Sequence, residues 1–208
     1  MLTEARRKLA LQLFDIGAIK FGAFRLKLHE KRPDAPLSPI YIDLRLIRSF
    51  PLVMDSAIDV YKELILGLGY DLLADVPTAA TPIVAVLSHD LKIGMISPRK
   101  EEKEHGIMTK VEGVFRKGDV VLLVDDLVTQ AESKIEAIRG LEGQGLIVRD
   151  VVVLIDREQG GSQQLAKAGY RCRAAFLLSD LLDLYFKEKK ISRDEYDRTV
   201  NYLKSALS

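Results

Sequence analysis

The chain has 208 residues, 48% of them hydrophobic and 29% charged, and a formal net charge of +1. That composition fits one globular domain with room for a sizeable core, and its near-neutral balance gives no reason to expect nucleic acid or an acidic membrane as a partner. A single cysteine, Cys172, excludes an internal disulfide framework and a Cys-rich zinc site.

The N-terminal MLTEARRKLALQLFDIG spreads its charges through an amphipathic pattern, which predicts a helix ending near Gly17 rather than a secretory signal. No apolar run approaches the ~20 residues that span a bilayer, so a cytoplasmic protein is expected. Strands are predicted at AFRLK and IYIDLR, separated by the polar, proline-rich loop LHEKRPDAPLSP. Pro51 stands at a predicted N1 position, and VMDSAIDVYKELILGLG continues that helix until it closes on glycine.

The rhythm then becomes regular. YDLLADV, IGMISPR, VVLLV, VVVLI and RCRAAFLL read as strands, and AATPIVAVLSHDL, SKIEAIRGLEGQG and SQQLAKAG as the helices between them. Val/Leu/Ile runs without polar alternation predict strands covered on both faces, hence an α/β, doubly wound, mostly parallel sheet flanked by helices. The C-terminal LLDLYFKEKKISRDEYDRTVNYLKSAL predicts two more helices. No repeat or linker divides the chain, so residues 1–208 are expected to form one domain.

Ligands of such sheets bind beyond the carboxyl ends of the strands. DVPTAATP, PRKEEKEHG, DDLVTQAES and DREQGG all fall on that rim. Asp125 and Asp126 follow VVLLV and precede Thr129, Ser133 and a helix. Carboxylates accept from sugar hydroxyls, and a helix N-terminus offers unpaired N–H groups to phosphate, so the pattern points to a phosphorylated sugar. A receiver domain also opens on VVLLVDD, but too little chain follows Asp126 to complete one, and the earlier strands would go unexplained. His29, His89 and His105 show no metal-ligand spacing.

Asp125 through Ser133 resembles the phosphoribosyl pyrophosphate motif of type I phosphoribosyltransferases. SPIYIDLR, RKEEKEHG and DREQGG, in that order, are similar to the orotate branch of that family. The resemblance covers nearly the whole chain. It implies the type I fold with a small N-terminal hood over about residues 1–50, and transfer of phosphoribosyl from phosphoribosyl pyrophosphate to orotate. By resemblance, Asp125 and Asp126 hold the ribose hydroxyls, while Thr129, Gln130, Ala131, Glu132 and Ser133 hold the 5-phosphate. Arg99, Lys100, Lys103 and His105 belong to a mobile loop that reaches pyrophosphate, with Lys103 as the main catalytic residue, and Thr78 and Ala79 line the pyrophosphate loop. Lys27, Tyr41, Thr129 and Arg157 are assigned to orotate. The resemblance also implies Mg2+ held by substrate oxygens and water rather than a dedicated protein site, and a homodimer with a shared active site.

Three departures from the family pattern stand out. Ala131 replaces a glycine in the phosphate turn, where a positive φ would strain it, and Glu132 places a carboxylate near the expected phosphate. The stretch after Lys27 lacks Ser-Gly and has a longer loop. The segment around Thr78 and Ala79 lacks the usual Tyr or Lys. An active transferase is therefore expected beside one alternative, a non-catalytic homologue that binds nucleotide as a regulator.

Overall fold

The computed structural model describes residues 2–25, 33–103 and 106–205, without side chains at 100–103, 106–110 and 205. Helix α1 (Glu4–Asp15) starts at Thr3, whose hydroxyl accepts the Arg6 N–H at 3.3 Å. Strands β1 (Ile19–Phe24) and β2 (Ser38–Ile42) pair antiparallel as a separate two-stranded sheet. A 3-10 helix (Leu44–Ser49) leads into α2 (Pro51–Ile65), which has proline at its start as expected.

The remaining elements alternate. They are β3 (Leu72–Asp75), α3 (Thr81–Leu91), β4 (Met95–Lys103), β5 (Gly106–Glu112), β6 (Val120–Val128) and α4 (Glu132–Glu142). Then follow β7 (Ile147–Asp156), α5 (Gly161–Lys167), β8 (Arg171–Leu177), α6 (Leu178–Lys187) and α7 (Arg193–Ser205). The main sheet has the order β5-β4-β3-β6-β7-β8, with every neighbouring pair parallel except β4 and β5.

Two apolar layers cover this sheet because successive strand residues point to opposite faces. Leu122, Val124, Val152 and Leu154 join one buried cluster with Leu9, Leu13, Ile58, Tyr61, Leu87 and Leu181. Val121, Leu123, Val151 and Val153 join the other with Ile138, Leu141 and Leu165. Continuous apolar runs are thus needed in β6 and β7, and the predicted doubly wound architecture follows from them.

Three expectations need correction. Strand β1 begins at Ile19, upstream of the predicted AFRLK, because Ile19 pairs with Ile42 and carries the buried side chain. β6 does not stop at the two acids, since Asp125 aligns with Val153 and Val128 with Asp156, so the acids lie inside the paired strand. RKEEKEHG reads as a loop, yet residues 97–103 form a strand paired with Gly106–Glu112, from Ser97 opposite Glu112 to Lys103 opposite Gly106. Only Met95 and Ile96 of β4 pair with β3, so this hairpin extends past the rim as an arm.

Candidate active site

The two acids of β6 have different surroundings. Asp125 is buried, and its Oδ2 lies 2.5 Å from the Nζ of Lys134 on α4, with side chains only 5% and 6% exposed. Its Oδ1 accepts the Asp126 N–H at 2.8 Å, and its carbonyl accepts the Tyr61 hydroxyl of α2 at 2.7 Å. Asp126 is partly exposed, and one of its oxygens accepts the Leu127 N–H at 2.7 Å. Burial pushes the Asp126 carboxyl up to about 7, with the Asp125 charge and hydrogen bond adding to the rise and the Leu127 N–H and Lys134 opposing it.

The turn that follows is built from both flanking segments. Ala131 caps α4 with φ −92° and ψ −2°, an ordinary right-handed conformation, so the expected strain at this replaced glycine is absent. Its methyl is fully buried in the cluster with Val128, Ile138 and Leu165. Its N–H donates to Gln164 Oε1 of α5 at 2.8 Å. Gly161 packs so tightly that a Cβ there would collide with Val128 Cγ2 and lie 3.0 Å from the Thr129 carbonyl, which accepts the Gly161 N–H at 3.1 Å. Thr129 is half-buried, whereas Gln130, Glu132 and Ser133 are exposed at the start of α4. The first-turn N–H groups of that helix have no intrahelical acceptor and are available to an anion.

Arg157 stands beyond β7, beside this turn, and its N–H donates to the Val128 carbonyl at 2.9 Å. Its side chain is buried, and its Nε and Nη2 have no hydrogen-bond partner among the described residues. Burial pulls the Arg157 pKa down, and nearby Tyr202 of α7 opposes that shift. A desolvated guanidinium with open donors is costly unless an anion completes it. Tyr202 also lines a hollow of about 340 Å³ with Ala23, Pro39 and Asn201, which connects the hood to α7. The larger hollow, about 840 Å³ along α1, lies away from this rim and contains no candidate residue.

The other sequence candidates are spread around the rim. Thr78 is exposed in the loop before α3, where its carbonyl accepts from Arg48 Nη2 at 3.4 Å, and Ala79 is half-buried beside it. Beneath that loop the fully buried Asp75 accepts the Thr81 hydroxyl and, at 2.6 Å, the Ser97 hydroxyl. Arg99 lies on the β4 arm, exposed and ion-paired with Glu112 at 3.1 Å. Lys100 and Lys103 occupy the same arm by backbone, without described side chains, while Lys27 and His105 lie outside the described residues. Tyr41 packs on Phe24 with ring centroids 5.6 Å apart, and its hydroxyl accepts from Arg45 at 3.4 Å. Its described contacts stay within the hood.

Lys134, Gln164 and Tyr61 contact the candidate site and were passed over in the sequence reading. Lys134 carried a readable signal: with Ala137, Ile138 and Leu141 it follows the i, i+3, i+4, i+7 spacing of a buried stripe. A lysine at such a position needs a buried acid, and the strand before the helix carries two adjacent ones, Asp125 and Asp126. Among the described residues no group of three His, Cys, Asp or Glu side chains could hold a metal ion. The acids present fit Mg2+ only as an ion that arrives with a pyrophosphate ester.

No protein-family model matches the sequence. Curated proteins do. The chain is 37% identical over 188 residues to the bifunctional enzyme PyrF/PyrE of Nostoc sp., which covers 90% of this chain and 38% of that protein. It is 33% identical over 193 residues to the orotate phosphoribosyltransferase of Pyrobaculum islandicum, covering 92% of this chain and 96% of that one. Among solved structures, UMP synthase of Leishmania donovani superposes with a TM-score of 0.85 at 35% identity, over 97% of this chain and 42% of that chain. The chain thus spans about two fifths of the length of the PyrF/PyrE enzyme and of the UMP synthase, and nearly all of the Pyrobaculum orotate phosphoribosyltransferase. The described fold and the alignment over nearly the whole Pyrobaculum protein agree: the chain belongs to the orotate phosphoribosyltransferase family of type I phosphoribosyltransferases.

Proposed function

We propose that the chain transfers the 5-phosphoribosyl group of phosphoribosyl pyrophosphate to orotate, releasing orotidine 5-phosphate and pyrophosphate in pyrimidine nucleotide synthesis. The observation that carries this reading is the buried Arg157 guanidinium, whose Nε and Nη2 lack partners among the described residues. Orotate offers a planar carboxylate that would satisfy both donors. Thr129 and, from the hood, Lys27 and Tyr41 complete the base site in this reading.

Asp125 and Asp126 receive the ribose hydroxyls, and the turn from Thr129 to Ser133 receives the 5-phosphate. Breaking the bond between the anomeric carbon and pyrophosphate leaves an oxocarbenium-like ribose and a leaving group rich in negative charge. Lys103, with Arg99, Lys100 and His105, stabilises that charge from the β4–β5 arm, and Thr78 and Ala79 line its other side. Closure of the arm keeps water away from the electrophile. Mg2+, carried on the substrate oxygens, supplies further charge neutralisation when bound.

We read the active form as a cytoplasmic homodimer with a shared site, and the whole chain as one domain with a hood over about residues 1–50. An arm paired only with itself beyond Ile96 supports a reach toward a neighbouring subunit. The non-catalytic alternative rested on a strained Ala131 and on the Glu132 carboxylate near the phosphate; the φ of −92° at Ala131 removes the first premise, and Glu132 is exposed at the start of α4. Loss of orotate absorbance on mixing with phosphoribosyl pyrophosphate and Mg2+ tests the reading. Turnover that collapses in Lys103→Ala supports it; no turnover by the wild type counts against it.

A further inference from the structure

We propose that Lys134 is a positioning residue for the ribose-binding acids: its buried ammonium supplies, among the described residues, the positive charge that favours the ionised form of two adjacent carboxylates beside the phosphate turn. The inference rests on the proposed ribose site and extends it to a residue behind the binding surface.

The geometry has three parts. First, Asp125 and Asp126 are consecutive, and the Asp126 N–H binds Asp125 Oδ1, so two like charges are held at close range. Second, both Lys134 and Asp125 are almost wholly removed from water, so their attraction is weakly screened and their desolvation cost is large. Third, Lys134 occupies an apolar stripe beside Ala137, Ile138 and Leu141, where a leucine would pack at no such cost. A buried charge at an apolar position calls for a reason beyond packing, and the exposed neighbour of its partner provides one.

Among the described residues, the other groups around the pair do not replace that charge. Tyr61 of α2 approaches Asp125 with a neutral hydroxyl whose pKa burial raises well above normal. Cys172 of β8 and Asp156 of β7 lie on the Lys134 side, and burial raises the Cys172 pKa, so neither adds a cation. Asp126 is pushed up to about 7 even with Lys134 present. The pair therefore stands close to taking up a proton at neutral pH, and loss of Lys134 moves that uptake to higher pH. A protonated pair offers fewer acceptors to the ribose hydroxyls.

Calorimetric binding of phosphoribosyl pyrophosphate with Mg2+ to the full chain, from about pH 6 to pH 9, tests this. The ratio of variant to wild-type affinity at each pH cancels titration of the ligand itself. Lys134→Met should bind about tenfold or more weakly near pH 7 and recover to within about threefold near pH 9, since one pH unit of displaced titration is tenfold in protonation. Lys134→Arg should stay within about threefold of wild type throughout. A flat ratio for Lys134→Met, with wild type binding, overturns the proposal alone and makes the ion pair merely structural. If wild type itself does not bind, the ribose-site reading fails and the proposal with it. Should Lys134→Met not fold, the double variant Asp125→Asn/Lys134→Met removes both charges. It should show no alkaline recovery relative to wild type, and a recovery there equally overturns the proposal.

Discussion

Gln164 Oε1 accepts the Ala131 N–H at 2.8 Å, so a side chain on α5 fixes the backbone at the start of α4. Together with the Gly161 N–H on the Thr129 carbonyl, this bond locks the DREQGG segment to the phosphate turn. The segment that carries Arg157 and the turn proposed to receive phosphate are therefore one mechanical unit. Gln164→Leu should raise the KM for phosphoribosyl pyrophosphate several-fold, about the worth of one hydrogen bond of ~1 kcal/mol, and leave the KM for orotate less affected. Initial-rate kinetics with each substrate varied would check the split, and equal changes in both would contradict it.

Arg157 gives a prediction with opposite signs. Its buried guanidinium has two nitrogens without partners among the described residues, so removal relieves the ligand-free protein. Arg157→Met should raise the unfolding free energy by about 1 kcal/mol or more. The same change should raise the KM for orotate by about 10- to 100-fold, the cost of losing charge-assisted hydrogen bonds. Chemical denaturation and kinetics on one preparation measure both.

The raised carboxyl of Asp126 has a consequence for stability. Its folded value of about 7 lies above the model-peptide value of 3.8, so the folded chain binds this proton more tightly than the unfolded chain does. The folded state gains from that proton below about pH 4, and loses the gain progressively as pH rises to about 7. Asp126→Asn removes the titration. The stability of that variant relative to wild type should increase between pH 4 and pH 7 and then level off. Denaturation midpoints at unit pH intervals would show it, and a constant difference would contradict it.

The turn substitution is expected to behave differently from its sequence motif. Because Ala131 has a negative φ and a fully buried methyl, restoring glycine relieves nothing and opens a small void. Ala131→Gly should cost about 1 kcal/mol of stability through the lost methyl and the freer unfolded chain. It should not tighten phosphoribosyl pyrophosphate binding, which a thermal melt and a binding titration would together establish.

Much of this fold was legible because burial on both sheet faces demands unbroken apolar runs. Val120–Val124 and Val151–Ile155 announce their strands without tertiary knowledge. The β4–β5 arm was not legible, since RKEEKEHG has no alternating apolar residues and its order comes from pairing with Gly106–Glu112. Asp125, Asp126, Thr129 and Arg157 were candidates from their motifs, and the structure brings them to one edge of the sheet. The roles of Lys134 and Gln164 depend on how α4 and α5 meet β6, and Gln164 contacts a residue 33 positions away. Composition carries no trace of such a contact. The expected strain at Ala131 failed for a related reason: a motif position does not fix φ, and here the cap is an ordinary right-handed turn.

Phosphorus NMR of the full reaction follows transfer of phosphoribosyl to orotate through both products at once. With orotate, phosphoribosyl pyrophosphate and Mg2+, pyrophosphate and nucleotide monophosphate should accumulate in equimolar amounts, so that the pyrophosphate signal grows twice as fast as that of the monophosphate, and both should be suppressed in Arg157→Met at low orotate. Pyrophosphate that appears without nucleotide, or phosphoribosyl pyrophosphate that persists unchanged beside the wild-type chain, would contradict it.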